Sequence, residues 1–284
     1  MNLEITGNGN FRICQLTDIH LGEYPFNAAS DHTMQQIDQL LNENDFDLVM
    51  ITGDLIWGKS VDNPDKVMHE LYQMLNKHDV PVAITYGNHD SEGSYSRAEL
   101  REYEQFLVHR ASKKNSMIVN DRESYTLEVY RNNKLSNVLY VWDSGDYLKE
   151  EPDNYAAIEP EQIEWFWQLP YEKGKNKQDV AFMHIPLPEY NLVESFLEGQ
   201  KNEKVCSSPY NSGLFYSLKK AKNIKALFVG HDHDNNFVAD YAGIKLGYGN
   251  VTGYNTYGSL RRGIRLIELT PTDIKTQVIP FAEK

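Results

Sequence analysis

The chain has 284 residues, 40% of them hydrophobic and 24% charged, and its 28 basic and 41 acidic side chains give a net charge of −13. That usage excludes a disordered chain, a collagen and a coiled coil, and the length permits a large core without disulfides, for which Cys14 and Cys206 would be no framework. The acidic balance repels a polyanion such as nucleic acid, no apolar run nears the length of a membrane span, and the N-terminus lacks the basic-then-apolar pattern of a secretory leader, so a cytoplasmic protein is expected.

From the N-terminus, Phe11–Leu16 reads as a strand, and Ser30 caps a helix running to about residue 42. A second strand covers 47–52, and 63–78 carries Val67, Leu71, Met74 and Leu75 at helical spacing. A third strand over 80–86 and a third helix over 96–109 complete an alternation that argues for βαβ units and a parallel sheet. The middle changes character. Segments 125–131 and 137–143 read as strands joined across a polar turn at Asn132 and Asn133, an antiparallel hairpin on a second sheet. Pro160, at a first-turn position, opens an amphipathic helix over 160–169. A strand over 180–183, a helix over 212–221 and a strand over 226–229 follow, and the end is β-rich at 237–241, 244–248, 264–269 and 274–279. No repeat, low-complexity segment or linker interrupts the chain, so one α/β domain with two sheets is expected over 1–284.

Five polar clusters follow strand-like apolar runs: Asp18 with His20, Gly53 with Asp54, Gly87-Asn88-His89-Asp90, His184, and Gly230-His231-Asp232-His233. Strand carboxyl ends form the ligand crevice of an α/β sheet, so five strands can deliver these residues to one rim. Each cluster alone is weak, since Gly-Asp after a strand is an ordinary turn. Their coincidence is the signal: five of the nine histidines lie in them. His32, His69, His78 and His109 lie in or beside helices without such partners and read as solvated surface residues. Carboxylate, imidazole and amide oxygen suit Mn, Fe or Zn, with Mg also admissible. Asp18, His20, Asp54, Asn88, His184, His231 and His233 are too many for one catalytic ion with an open position, and they suit two ions sharing a carboxylate. Two such ions can hold a bridging hydroxide and clamp a phosphoryl group for in-line attack. His89, beside a candidate ligand, is the candidate general acid, with Asp90 to orient or charge it.

This ordered series resembles the calcineurin-like metallophosphoesterase superfamily. Flanking features, namely Asp143-Ser144-Gly145, the QIEWF run at 162–166, Phe182 to Pro186 and the glycine-rich 247–258 segment, resemble its intracellular relatives of purple acid phosphatases. The resemblance implies a four-layer αββα sandwich of two mixed sheets flanked by helices. It also implies residue roles: Asp18, His20 and His233 on a first metal, Asn88, His184 and His231 on a second, Asp54 bridging, and His89 protonating the leaving group. True purple acid phosphatases carry a metal-binding tyrosine three residues after the bridging aspartate, where this chain has Trp57, and they lack the histidine found here at His20. No tyrosinate ligand is therefore expected, and an iron-loaded sample should show no intense visible band.

The leading reading is a phosphatase acting on a small phosphorylated substrate. A phosphodiesterase, cyclic nucleotides included, shares the same core and stays open, and a non-catalytic scaffold is the rival of another class. Tyr248, Tyr254 and Tyr257 either line the cleft or pack; Trp57 and the loop 23–27 are rim candidates. Arg261 and Arg262 either neutralise a phosphate or form a solvated turn, the turn being the favoured reading, and Trp165 and Trp167 read as packing residues of a helix.

Overall fold

The computed structural model describes residues 1–5 and 9–282. In chain order, the first half runs β1 (Leu3–Ile5), β2 (Phe11–Leu16), α1 (Ala28–Glu43), β3 (Leu48–Thr52), α2 (Pro64–Leu75), β4 (Val82–Thr85), α3 (Arg97–Tyr103), β5 (Lys114–Val119), β6 (Arg122–Arg131) and β7 (Lys134–Trp142). The second half runs α4 (Pro160–Gln168), β8 (Asp179–Phe182), α5 (Leu214–Ala221), β9 (Ile224–Val229), β10 (Val238–Tyr241), β11 (Ile244–Tyr248), β12 (Gly263–Leu269) and β13 (Ile274–Pro280).

The strands build two mixed sheets. A five-stranded sheet has the order β13-β12-β2-β3-β4, in which β2, β3 and β4 are parallel. An eight-stranded sheet runs β1-β6-β7-β8-β9-β11-β10, with β5 also paired to β6. Its central neighbours β7, β8, β9 and β11 are parallel.

Side-chain alternation sets the layers. In β2 and β3, Cys14, Leu16, Val49 and Ile51 face outward to Ile37, Leu40, Val67, Leu71 and Leu100 on α1, α2 and α3. Their neighbours Phe11, Ile13, Leu48 and Met50 face inward onto Leu127, Leu139, Val141, Val180 and Phe228 of the larger sheet. Both faces are covered, which is why these strands read as unbroken apolar runs. The far face of the larger sheet packs Tyr140, Trp142 and Leu227 against Trp165, Phe166, Leu214 and Leu218 of α4 and α5. The result is the expected helix–sheet–sheet–helix sandwich.

Several local expectations are corrected. Helix α1 starts earlier, because Asn27 is its cap and accepts from the Ser30 amide at 2.8 Å. The Ser30 hydroxyl instead accepts from Gly22 N at 3.1 Å. Helix α3 stops at Tyr103 rather than 109, since the chain there turns to pair His109 and Ala111 with Val82. Its start is as read: Ser96 and Glu99 form a capping box. β1 is too short and β5 too exposed and unpatterned for the sequence to reveal them. His78 is buried and bonded to Asp38 at 2.8 Å, so it is no solvated surface residue. Asn132 and Asn133 both adopt positive φ (50° and 59°), the backbone a tight hairpin turn requires. Among the described residues no helix is long and apolar enough to cross a membrane.

Candidate metal centre

The five polar clusters all follow parallel strands: β2, β3 and β4 of one sheet, β8 and β9 of the other. Their carboxyl ends meet at one edge of the sandwich. Tight backbone links hold the loops in register, with Asp18 N donating to Gly53 O (3.1 Å), His20 N to Asp54 O (3.0 Å) and Gly230 N to His184 O (3.0 Å). Asp18, His20, Asp54 and His231 all have positive φ (53°, 49°, 53° and 81°). Non-glycine residues rarely adopt that region, and such strain collects at functional sites. Gly87 permits a close approach: a Cβ there would lie 2.2 Å from Asp54 Oδ1 and 2.7 Å from His184 Nε2.

Two groups of side chains converge, each with donor atoms within 4.8 Å of one another: Asp18, His20, Asp54 and His233, and Asp54, His184 and His231. Asp54 belongs to both. Its Oδ1 is anchored by the His89 amide at 2.9 Å, while Oδ2 lies 3.6 Å from His20 Nε2 and 3.1 Å from His184 Nε2. Asn88 is fully buried beside this cluster, its Nδ2 donating to the Tyr147 hydroxyl at 3.3 Å.

Three of the donor atoms lack partners. Asp54 Oδ2, Asn88 Oδ1 and His184 Nε2 are buried without a hydrogen bond. His184 Nδ1 faces Thr52 O at 2.8 Å, and because a carbonyl only accepts, that nitrogen carries the proton. The lone pair of a neutral His184 then points from Nε2 at a carboxylate oxygen. His20 Nε2 and His233 Nε2 stand 3.1 Å apart, and His233 Nδ1 is held by Thr256 Oγ1 at 2.9 Å. Acceptors pressed together in a buried pocket call for cations, so these residues fit metal ions.

The titration shifts express the same demand. Burial opposes charge on Asp18 and Asp54, yet the histidines facing them outweigh it, holding Asp18 down to about 2 and Asp54 well below the carboxylate range. Burial lowers His20 and His231 to about 3. His184 goes the other way: against its burial, the charges of Asp54 and Asp18 lift it to about 9. Without metal, the cluster takes its positive charge as a proton on His184.

His89 sits half-buried at the rim, its ring 5.3 Å from that of His20 and 4.5 Å from that of Trp57. Its orienting group is Glu92, which binds His89 Nδ1 at 2.7 Å. Burial lowers the affinity of His89 for a proton, but Glu92 and Asp54 raise it overall. The expectation that Asp90 orients His89 is corrected. The Asp90 carboxylate accepts amide hydrogens from Asp54 (2.9 Å), Leu55 (2.7 Å), Ile56 (3.2 Å) and Gly87 (2.7 Å), so it ties the loop after β3 to the loop after β4.

Residue reading missed Glu92, Tyr147, Tyr155 and Thr256. Glu92 had a usable signal, three residues after His89 in the same loop; the others come from distant segments. Of the aromatic candidates, Trp57 lies tilted against His20 at 4.1 Å and donates from Nε1 to Asn255 O at 2.7 Å, so it is a wall of the site. Tyr257, 55% exposed, stacks on His233 at 4.2 Å. Tyr248 is buried and bonded to Asp232, and Tyr254 packs on His32, so both are packing residues. In the loop 23–27, Glu23 accepts from the Asp62 and Asn63 amides and Asn27 caps α1, which are structural duties. Arg262 corrects the solvated-turn reading: it is buried and donates to the carbonyls of Thr256, Tyr257 and Leu260. Trp165 is packed in the core and Trp167 is 40% exposed on the same helix.

Similar proteins agree with this picture. "Probable inactive purple acid phosphatase 14" of Arabidopsis thaliana is 27% identical, over 94% of this chain and 77% of its own. "Phosphatase DCR2" of Saccharomyces cerevisiae is 31% identical, over 83% of this chain and 46% of its own. The crystal structure of a dimetal phosphatase from Danio rerio superposes with a TM-score of 0.64 at 14% identity, covering 96% of this chain and all of the other, a likeness of fold. Residues 11–235 match the calcineurin-like phosphoesterase family, and with the two-sheet sandwich and the convergent ligand cluster they make this chain a member of it.

Proposed function

We propose that the chain hydrolyses phosphomonoesters with two metal ions. The observation that carries this reading is Asp54: one oxygen anchored, the other unpartnered and shared by two histidine-bearing groups. Asp18, His20 and His233 would hold one ion with Asp54, and Asn88, His184 and His231 the other. When bound, such ions supply an activated water and neutralise charge on the phosphoryl oxygens.

The chain's own residues do the rest. Thr52 O and Thr256 Oγ1 fix the His184 and His233 rings so that each Nε2 faces inward. Glu92 holds His89 at Nδ1, leaving Nε2 to deliver its proton to the leaving oxygen. Trp57 covers His20 and limits water on that side. Some relatives bear names that call them inactive. Here all seven ligand positions and His89 are present, which supports an active site rather than a scaffold. The yeast relative named a phosphatase also supports the monoester reading over the diester one.

The test is hydrolysis by metal-stripped protein reloaded with Mn, Fe, Zn or Mg. It should turn over p-nitrophenyl phosphate faster than bis-p-nitrophenyl phosphate, and only with metal. The reverse preference would make it a diesterase. No turnover and no metal rebinding would establish the scaffold.

A further inference from the structure

A cavity of about 770 Å³, a size that holds small ligands, reaches the neighbourhood of the cluster through Tyr147 and Ser91 rather than through a ligand or His89 itself. Tyr147 belongs to both places. It lines the cavity, while its hydroxyl accepts from Asn88 Nδ2 at 3.3 Å and donates to Glu92 Oε1 at 2.8 Å. Ser91, two residues beyond His89, lines it too. The loop that carries Tyr147 closes on itself through Ala156 N to Asp146 O (3.0 Å) and Leu148 N to Asn154 O (2.9 Å). That closure stacks Tyr147 on Tyr155 at 5.4 Å and sets Tyr155 edge-on against His231 at 4.4 Å. One loop thus touches two candidate ligands of the same ion and walls the cavity beside them.

The cavity wall offers acceptors, and its two guanidinium groups are already engaged. Arg97 is buried and donates to Asp143 Oδ2 (2.9 Å), Gly87 O (2.7 Å) and Ser91 Oγ, with Asp146 at 3.6 Å. Arg122 donates to Ala157 O at 2.9 Å and pairs with Glu159 at 3.2 Å. Lys149 is exposed at the rim beside Glu150 and Glu151. A second phosphate here would meet five carboxylates, two committed guanidinium groups and the one exposed ammonium of Lys149, whereas an ammonium or hydroxyl would find acceptors in excess.

We propose that this cavity receives the leaving group of the phosphomonoester, and that it takes a donor-bearing group, ammonium or polyol, in preference to one carrying further phosphate. The proposal rests on the phosphoester reading above. It makes the 146–156 loop the specificity element, because a site built to pair a ligand's donors rejects a ligand that leaves its acceptors unpaired.

The test is calorimetric binding to the manganese-loaded full chain of phosphonates, whose C–P bond the proposed reaction does not cleave, with inorganic phosphate as reference. 3-Aminopropylphosphonate and 3,4-dihydroxybutylphosphonate should each bind roughly tenfold tighter than inorganic phosphate, and propane-1,3-bisphosphonate no tighter, the tenfold being one well-made polar contact. The order of the first two tells ammonium from hydroxyl. The double charge reversal Glu150→Lys with Glu151→Lys, at exposed positions, should invert the ranking. Tightest binding of the bisphosphonate to the unaltered chain, or a ranking untouched by the reversal, would overturn the proposal. Turnover of p-nitrophenyl phosphate in the same samples reports on hydrolysis alone: an intact ranking without turnover keeps the cavity assignment and sinks the hydrolase, and turnover without the ranking does the opposite.

Discussion

Asp54 and His89 carry different halves of the chemistry, and single substitutions should separate them. Asp54 offers the one carboxylate oxygen shared by both groups of ligands. Asp54→Asn should therefore empty both sites together and abolish activity. Two metals per chain by elemental analysis of that variant would show that Asp54 is no bridge. The His89 ring is held by Glu92, and only the backbone amide of His89 reaches the cluster, at Asp54 Oδ1. His89→Ala should keep both metals and lose roughly 10²–10⁴ in rate, the usual worth of a general acid. The loss should shrink as the leaving group improves, because a good leaving group needs no proton. A uniform loss across esters would assign His89 to substrate binding. Colour is a residue-scale matter as well. Trp57 occupies the position of the tyrosine ligand, and Tyr147 stays a neutral phenol because burial and Glu92 both push its titration up.

Elements deliver these residues by way of their ends. Each ligand loop leaves the carboxyl end of a buried parallel strand, and Asp90 clamps two such loops through four amides. Burial and the Asp54 charge push the Asp90 carboxyl up to about 7, while its amide donors favour the ionised form. Asp90→Asn replaces one accepting oxygen by a donor facing amide hydrogens. It should destabilise the fold by about 1–3 kcal/mol, the cost of an unsatisfied buried group, and weaken metal retention. The activity that remains should show an unchanged dependence on leaving group. A selective loss on poor leaving groups would return Asp90 to an orienting role for His89.

The whole molecule links metal, pH and stability. The ions bind only the folded arrangement, so chelation should lower the melting temperature, and an unchanged melting curve would mean that the sites had been empty. Metal-free protein should also respond to pH in two directions. His20 and His231, lowered from 6.5 to about 3, make the folded chain bind fewer protons than the unfolded one in that interval, so stability falls as pH falls through it. His184, raised from 6.5 to about 9, does the reverse, and its contribution is lost as pH rises through that interval. Stability of the stripped protein should peak near neutral to slightly acid pH. Loading metal replaces the His184 proton and should remove the alkaline loss. Melting curves of stripped and loaded protein across pH check this, and a stripped protein indifferent to alkali would show that His184 is uncharged there.

The sequence by itself determined the strand–helix alternation, the two sheets and the seven candidate ligands. Those features rest on local chemistry: buried strands must be apolar, and the turns that follow them need glycine beside a short polar residue. Asp54 and Asn88, each directly after a glycine, are legible for that reason. Tertiary structure alone decided the partners. Glu92 rather than Asp90 meets His89, since the side chain three residues on folds back to the ring while Asp90 points into backbone amides. Tyr147, Tyr155 and Thr256 reach the cluster from loops that no local pattern connects to it, and β1 and β5 exist because neighbouring strands offered them hydrogen bonds. The leaving-group cavity belongs to that second class. Its lining comes from segments distant in the chain, 91–97, 120–122, 146–151, Glu159 and Tyr210.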